Sequence, residues 1–169
     1  MIKIGILGGS FDPAHIGHLT ISKEAAKRFN LKKVIWAITK KNPFKKKSNN
    51  DLNQRIKYCK KITSKNTFIK VMFYENIIKS NKTINLINHL LKNNNIKIFF
   101  IMGADNLINF HKWYKWETIA KKCQIVVFDR HGYKKKSLNS VTFKRLGTKK
   151  LKFIEFNKVN ISSSQLRKI

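Results

Sequence analysis

With 169 residues the chain can bury one ordinary core and is too short for two, so a single domain over residues 1–169 is expected. No stretch approaches the ~20 uninterrupted apolar residues of a membrane span, the N-terminus lacks a signal-peptide pattern, and Cys59 and Cys123 stand far apart with no Cys/His cluster near either. This leaves a soluble cytoplasmic protein without disulfide framework or zinc site, whose net charge of +29 is spread along the whole chain beside an excess of Asn, Ile and Phe, as AT-rich codons dictate, so nucleic acid is not expected as a partner.

In chain order, IKIGIL (2–7) reads as a strand, His18 to Phe29 as a helix ending near Asn30, and KVIWAI (33–38) as a second strand, together one βαβ unit. A lysine-rich loop over 39–50 leads to a helix capped by Asp51 and running through Ile62, then to an apolar stretch over 68–73. Thr83 is expected to cap a helix through Leu91, closed by the turn Asn93 to Asn95. IKIFFIMG (96–103) is apolar nearly throughout and reads as a strand buried on both faces. A helical segment over 116–122, the strand QIVVFD (124–129), a basic loop and a short strand LKFIEF (151–156) complete the pattern. The lysine runs at 45–47 and 134–136 read as solvated loops. Alternation of this kind predicts an α/β fold, a doubly wound parallel sheet with helices on both faces.

Ligands of such sheets gather beyond the carboxyl ends of the strands at the topological switch point, where helix N-termini aim donors at phosphates. GGSFDPAHIGHL (8–19) falls there. Gly8, Gly9 and Ser10 allow close approach of backbone to a phosphate, Phe11 can anchor the loop in the core, and Pro13 stiffens the turn into His15. Asp12 is read as turn-making. His15 and His18, three apart, would share one side of the following helix and flank an anion.

These residues carry a resemblance. Gly8 to His18 resembles the HxGH signature of the nucleotidyltransferase superfamily, and Ile161-Ser162-Ser163-Ser164-Gln165-Leu166-Arg167 is similar to its ISSTxxR motif. IMGADNLINFHKWYKW (101–116) resembles the stretch that marks nicotinate-mononucleotide adenylyltransferases, a Gly-x-Asp after a buried strand followed by a Lys-Trp pair. Asn42-Pro43-Phe44-Lys45 is similar to a variant Asn-Pro-Leu-Lys loop of that family, Asn81-Lys82-Thr83 keeps the threonine of its Ser-Tyr-Thr, and Phe128-Asp129-Arg130-His131-Gly132 resembles its Arg-Pro-Gly, with His131 incidental.

The resemblance implies a Rossmann-like fold of nucleotidyltransferase type and transfer of AMP from ATP to nicotinate mononucleotide, with release of pyrophosphate, a step of NAD biosynthesis. It implies His15 and His18 as catalytic donors to phosphate oxygens. ATP would be bound by Gly8, Gly9, Ser10 and Phe11, by Asp105 at a ribose hydroxyl, and by Ser162, Ser163 and Arg167 at the β and γ phosphates. The acceptor would meet Lys45, Thr83, Lys112, Trp113 and Tyr114, with Trp113 stacked on the pyridine ring and Trp116 left to the core. Mg²⁺ would come with ATP, held by phosphates and water with no metal ligand set of the protein's own. A homo-oligomer is left open. Two alternatives stand beside this reading: another HxGH adenylyltransferase, using nicotinamide mononucleotide or pantetheine phosphate, and a basic nucleic-acid-binding protein on a nucleotide-binding fold.

Overall fold

The computed structural model describes residues 1–41 and 50–155. Among these residues six strands, β1 (Ile2–Gly9), β2 (Lys33–Ile38), β3 (Ile69–Met72), β4 (Ile96–Gly103), β5 (Cys123–Phe128) and β6 (Leu151–Ile154), form one sheet in the order β3-β2-β1-β4-β5-β6, with every neighbouring pair parallel. The order reverses direction between β1 and β4, which makes that seam the switch point. Among the described residues eight helical segments accompany the strands: α1 (Ile16–Phe29), α2 (Leu52–Thr63), α3 (Glu75–Ile78), α4 (Thr83–Leu90), α5 (Ala104–Phe110), α6 (Trp116–Lys122), α7 (Lys134–Leu138) and α8 (Val141–Lys150).

Side chains alternate between two apolar layers, as the two-residue period of a strand requires. Ile98, Phe100 and Met102 of β4 pack with α4, α5 and α6, while Phe99 and Ile101 face the layer that holds Ala25 of α1 and Cys59 of α2. The doubly buried strand expected over 96–103 is therefore present with those bounds. Both cysteines are free and buried, and burial pushes each thiol up to about 12. Among the described residues no helix is long and apolar enough to cross a membrane.

The elements depart from expectation where local chemistry overrides apolar period. Helix α1 starts at Ile16, two residues before His18, because His15 caps it. Thr83 is the first residue of α4, not its cap; Lys82 stands at the cap with no side-chain hydrogen bond, and the nearby Ser80 Oγ accepts from Lys82 N–H (3.1 Å) and Asn85 Nδ2 (2.8 Å). The lysine run 134–136 opens α7 instead of lying in a loop, and most of the basic loop is helical, since Ser140 caps α8 by accepting from Phe143 N–H. α5 follows β4 directly and buries Leu107 and Phe110 at a helical spacing of three. Asp51 caps α2 as expected, in a reciprocal capping box with Gln54.

Candidate active site

The turn after β1 meets the turn after β4 in a cavity of about 790 Å³ at the switch point. Gly8, Gly9, Ser10, Phe11, His15 and His18 all line it, as the sequence predicts. Phe11 takes a left-handed backbone (φ 50°), a strain of about 1–3 kcal/mol for a residue with a side chain. Its ring offsets that cost: it is buried, stacks on Trp36 at 4.9 Å and 18°, and lies 4.7 Å from the His18 ring. His18 in turn packs 4.0 Å from His15. Trp36 is itself pinned, donating from Nε1 to Ser22 Oγ at 2.8 Å, and Ser22 donates to His18 O at 2.7 Å.

The two histidines cap their own helix. Gly17 N–H donates to His15 Nδ1 (3.0 Å) and His15 N–H donates to His18 Nδ1 (3.1 Å), so imidazoles fill both places of a capping box. A ring nitrogen that accepts carries no proton. Each ring therefore bears its proton on Nε2, and both histidines that line the cavity are held in one tautomer. Burial, with the Arg130 guanidinium as a smaller contribution, lowers the His15 pKa to about 4, so its ring is neutral at physiological pH.

Across the cavity, Asp105 Oδ2 accepts from Arg130 Nη1 at 2.5 Å, both groups being partly exposed at the wall. Gly103 makes room for that carboxylate: a Cβ there would lie 2.6 Å from Asp105 Oδ1. Trp113 lines the cavity and is held edge-on by Phe100 (6.0 Å, 89°) and Phe110 (5.1 Å, 71°), whereas Trp116 packs on Phe110 within the core, as expected of it. Thr83, Lys112 and the 54% exposed Tyr114 also reach the wall. Asp12 is buried and its Oδ1 accepts from Asn50 N–H (3.2 Å) and Nδ2 (2.7 Å), so it ties two segments together in addition to its place in a turn.

Lys45, Ser162, Ser163 and Arg167 lie outside the described residues. Among the cavity residues that were not assigned a role from the sequence are Arg130, Glu75 and Tyr133. Arg130 stands in the stretch similar to the family's Arg-Pro-Gly, but its pairing with Asp105 crosses 25 positions of sequence, and no local pattern announces that contact. Glu75 had a signal in composition, since only 8 acids are present in the sequence and it opens a helix. Among the described residues no group of three or more His, Cys, Asp or Glu forms a metal-ligand cluster.

Comparison with known proteins agrees with this fold. A cytidylyltransferase-like family model matches residues 6–169. A protein of Pelagibacter ubique (strain HTCC1062) named a probable nicotinate-nucleotide adenylyltransferase is 66% identical over 167 residues, covering 99% of this chain and 93% of that protein. One of the same name from Agrobacterium fabrum is 38% identical over 131 residues, 76% of this chain and 70% of that one. In fold, the chain is similar to Plasmodium falciparum nicotinic acid mononucleotide adenylyltransferase complexed with NaAD, with a TM-score of 0.77 at 20% identity over 99% of this chain and 83% of the other.

Proposed function

The chain belongs to the cytidylyltransferase-like family, and from that membership we propose that it transfers the AMP moiety of ATP to nicotinate mononucleotide, a step of NAD biosynthesis. An oxygen of the acceptor 5′-phosphate attacks the α-phosphorus of ATP. The bond from that phosphorus to the α,β-bridging oxygen breaks, pyrophosphate leaves with the bond pair, and nicotinate adenine dinucleotide forms. A phosphate monoester is already anionic at neutral pH, so no residue needs to remove a proton, and the protein's part is positioning and stabilisation of charge.

The observation that carries the reading is the histidine capping box at the switch-point cavity, which sets two Nε2–H donors beside a helix N-terminus. His18 is assigned to the α-phosphate and His15 beside it, as neutral donors that strengthen as negative charge accumulates on the phosphoryl oxygens. Ser10 and the amides of its turn would hold the phosphate chain, joined by Ser162, Ser163, Arg167 and Lys45. Asp105, oriented by Arg130, would receive a ribose hydroxyl of ATP. Trp113 would stack on the pyridine ring, with Thr83, Lys112 and Tyr114 around the acceptor. Mg²⁺ would enter as the Mg-ATP complex, with its ligands supplied by phosphate and water; the carboxylates at the wall are otherwise engaged, Asp105 with the Arg130 side chain, Asp129 with Arg130 N–H and Glu75 with Lys40 N–H.

The purified chain is incubated with Mg-ATP and, in separate reactions, nicotinate mononucleotide, nicotinamide mononucleotide or phosphopantetheine, and pyrophosphate is measured. Release is expected with nicotinate mononucleotide at the highest kcat/KM. A preference for either other acceptor would replace the substrate assignment, and release with none would remove the reaction.

A further inference from the structure

Arg55, in the first turns of α2, is only 3% exposed and does not itself line the cavity. Its donors go to the backbone. Nη1 donates to Ser10 O and to Thr39 O (2.8 Å each), Nη2 to Lys40 O (2.8 Å) and Nε to Asn50 O (3.2 Å). One guanidinium thus joins the turn after β1, the turn after β2 and the approach to α2. A buried cation is costly unless its donors are nearly all engaged, and an apolar side chain could fill the same space without that cost. What the charge provides is a fixed arrangement of three separate segments.

We propose that Arg55 is a positioning residue for nucleotidyl transfer: by holding the carbonyls of Ser10, Thr39 and Lys40 on one guanidinium, it braces the turn after β1 against the turn after β2 and so sets the shape of the phosphate-holding turn that begins at Ser10. The peptide unit is planar and trans, so each carbonyl held by Arg55 sends the next N–H the opposite way. For the Thr39–Lys40 peptide both ends are visible. Its carbonyl accepts from Arg55 and its N–H reaches the two carboxylate oxygens of Glu75 (3.4 and 3.3 Å), so this peptide is held at both ends and serves as a brace, not as a donor to phosphate. The Ser10–Phe11 peptide is held likewise, and the left-handed Phe11 backbone is thereby fixed through its preceding carbonyl as well as through its ring. Asp12 closes the assembly by accepting from both donors of Asn50, whose own carbonyl is on Arg55.

The inference rests on the proposed reading of the cavity as an ATP site, and its test separates the two. Pyrophosphate release by the wild-type chain with Mg-ATP and nicotinate mononucleotide is measured first; its absence overturns both. Arg55→Lys and Arg55→Ala are then compared with wild type for kcat, for KM toward each substrate and for thermal melting. A lysine keeps the charge but cannot span four carbonyls from one nitrogen. Displacing a phosphate-holding turn by about 1 Å costs up to ~10²-fold, so kcat/KM for ATP should fall at least about tenfold in folded Arg55→Lys. KM for the acceptor should stay within about threefold. Millimolar methylguanidinium should restore much of the lost ATP turnover in Arg55→Ala and change neither wild type nor Arg55→Lys, a rescue that a loss of general stability would not show. Should Arg55→Ala not fold, the lysine variant decides. Arg55→Lys with wild-type kcat/KM for ATP, equal losses toward both substrates, or folded Arg55→Ala that is impaired yet not rescued would each overturn the role.

Discussion

At His15, burial and the Arg130 guanidinium lower the imidazole pKa to about 4 from the ordinary 6.5. Because the folded-state value is the lower one, the unfolded chain takes up the proton first as pH falls. The stability owed to the neutral ring is intact above about pH 6.5 and drains away toward pH 4. Protonation would also take the Nδ1 lone pair that receives Gly17 N–H, loosening the start of α1. Melting temperature should therefore fall more steeply across this window in wild type than in His15→Asn, since asparagine can cap without titrating. Equal slopes would remove His15 from the account. The same neutral state predicts that turnover does not decline as pH rises from about 6.5 to 8, as it would if an imidazolium were needed. His18→Ala should lower kcat by about 10²-fold or more, the scale of losing one donor to developing charge. A folded variant within about threefold of wild type would sink that assignment.

The elements of the sheet were the most legible part of the chain. KVIWAI and IKIFFIMG alternate between two apolar layers, so burial alone sets their limits, and the structure gives them those limits. Helices made by lysine were harder to see. In α7 and α8 the side chains are mostly solvated, and the signal lies in caps and in the helix-forming tendency of lysine instead of in an apolar stripe. GADN was read as a ligand motif, which hid that it also begins α5; Gly103 caps that helix and leaves space for Asp105, so both readings hold of the same residues. The histidine pair was legible as chemistry, but its capping box was not, because imidazoles seldom fill the Ser/Thr and Glu/Gln places that announce one. Helix α2 gives a test at this scale. Asp51→Ala removes its capping box and should cost about 1 kcal/mol. Since α2 carries Arg55, the same change should also weaken ATP binding; a melting temperature equal to that of wild type would show the cap to be dispensable.

For the whole molecule the charge is the dominant long-range term. With +29 in formal charge the folded state repels itself, and salt screens that repulsion over a Debye length of about 10 Å at 0.1 M. Raising salt from very low ionic strength should therefore raise the melting temperature. It should also raise KM for ATP, because the same field gathers the anionic substrate. A melting temperature that falls and a KM that stays flat would show that the lysines neither strain the fold nor serve the site. What sequence could not disclose at this scale are the pairings across distance: Asp105 with Arg130, and Arg55 with carbonyls as far as 45 positions away. That separation also dictates an order of assembly. The residues of the histidine turn are contiguous, but the carbonyl of Ser10 gains its Arg55 partner only when α2 reaches the turns that follow β1 and β2. During synthesis the turn emerges early and is finished late, so a nascent chain that ends before α2 would carry every letter of the signature without its working form.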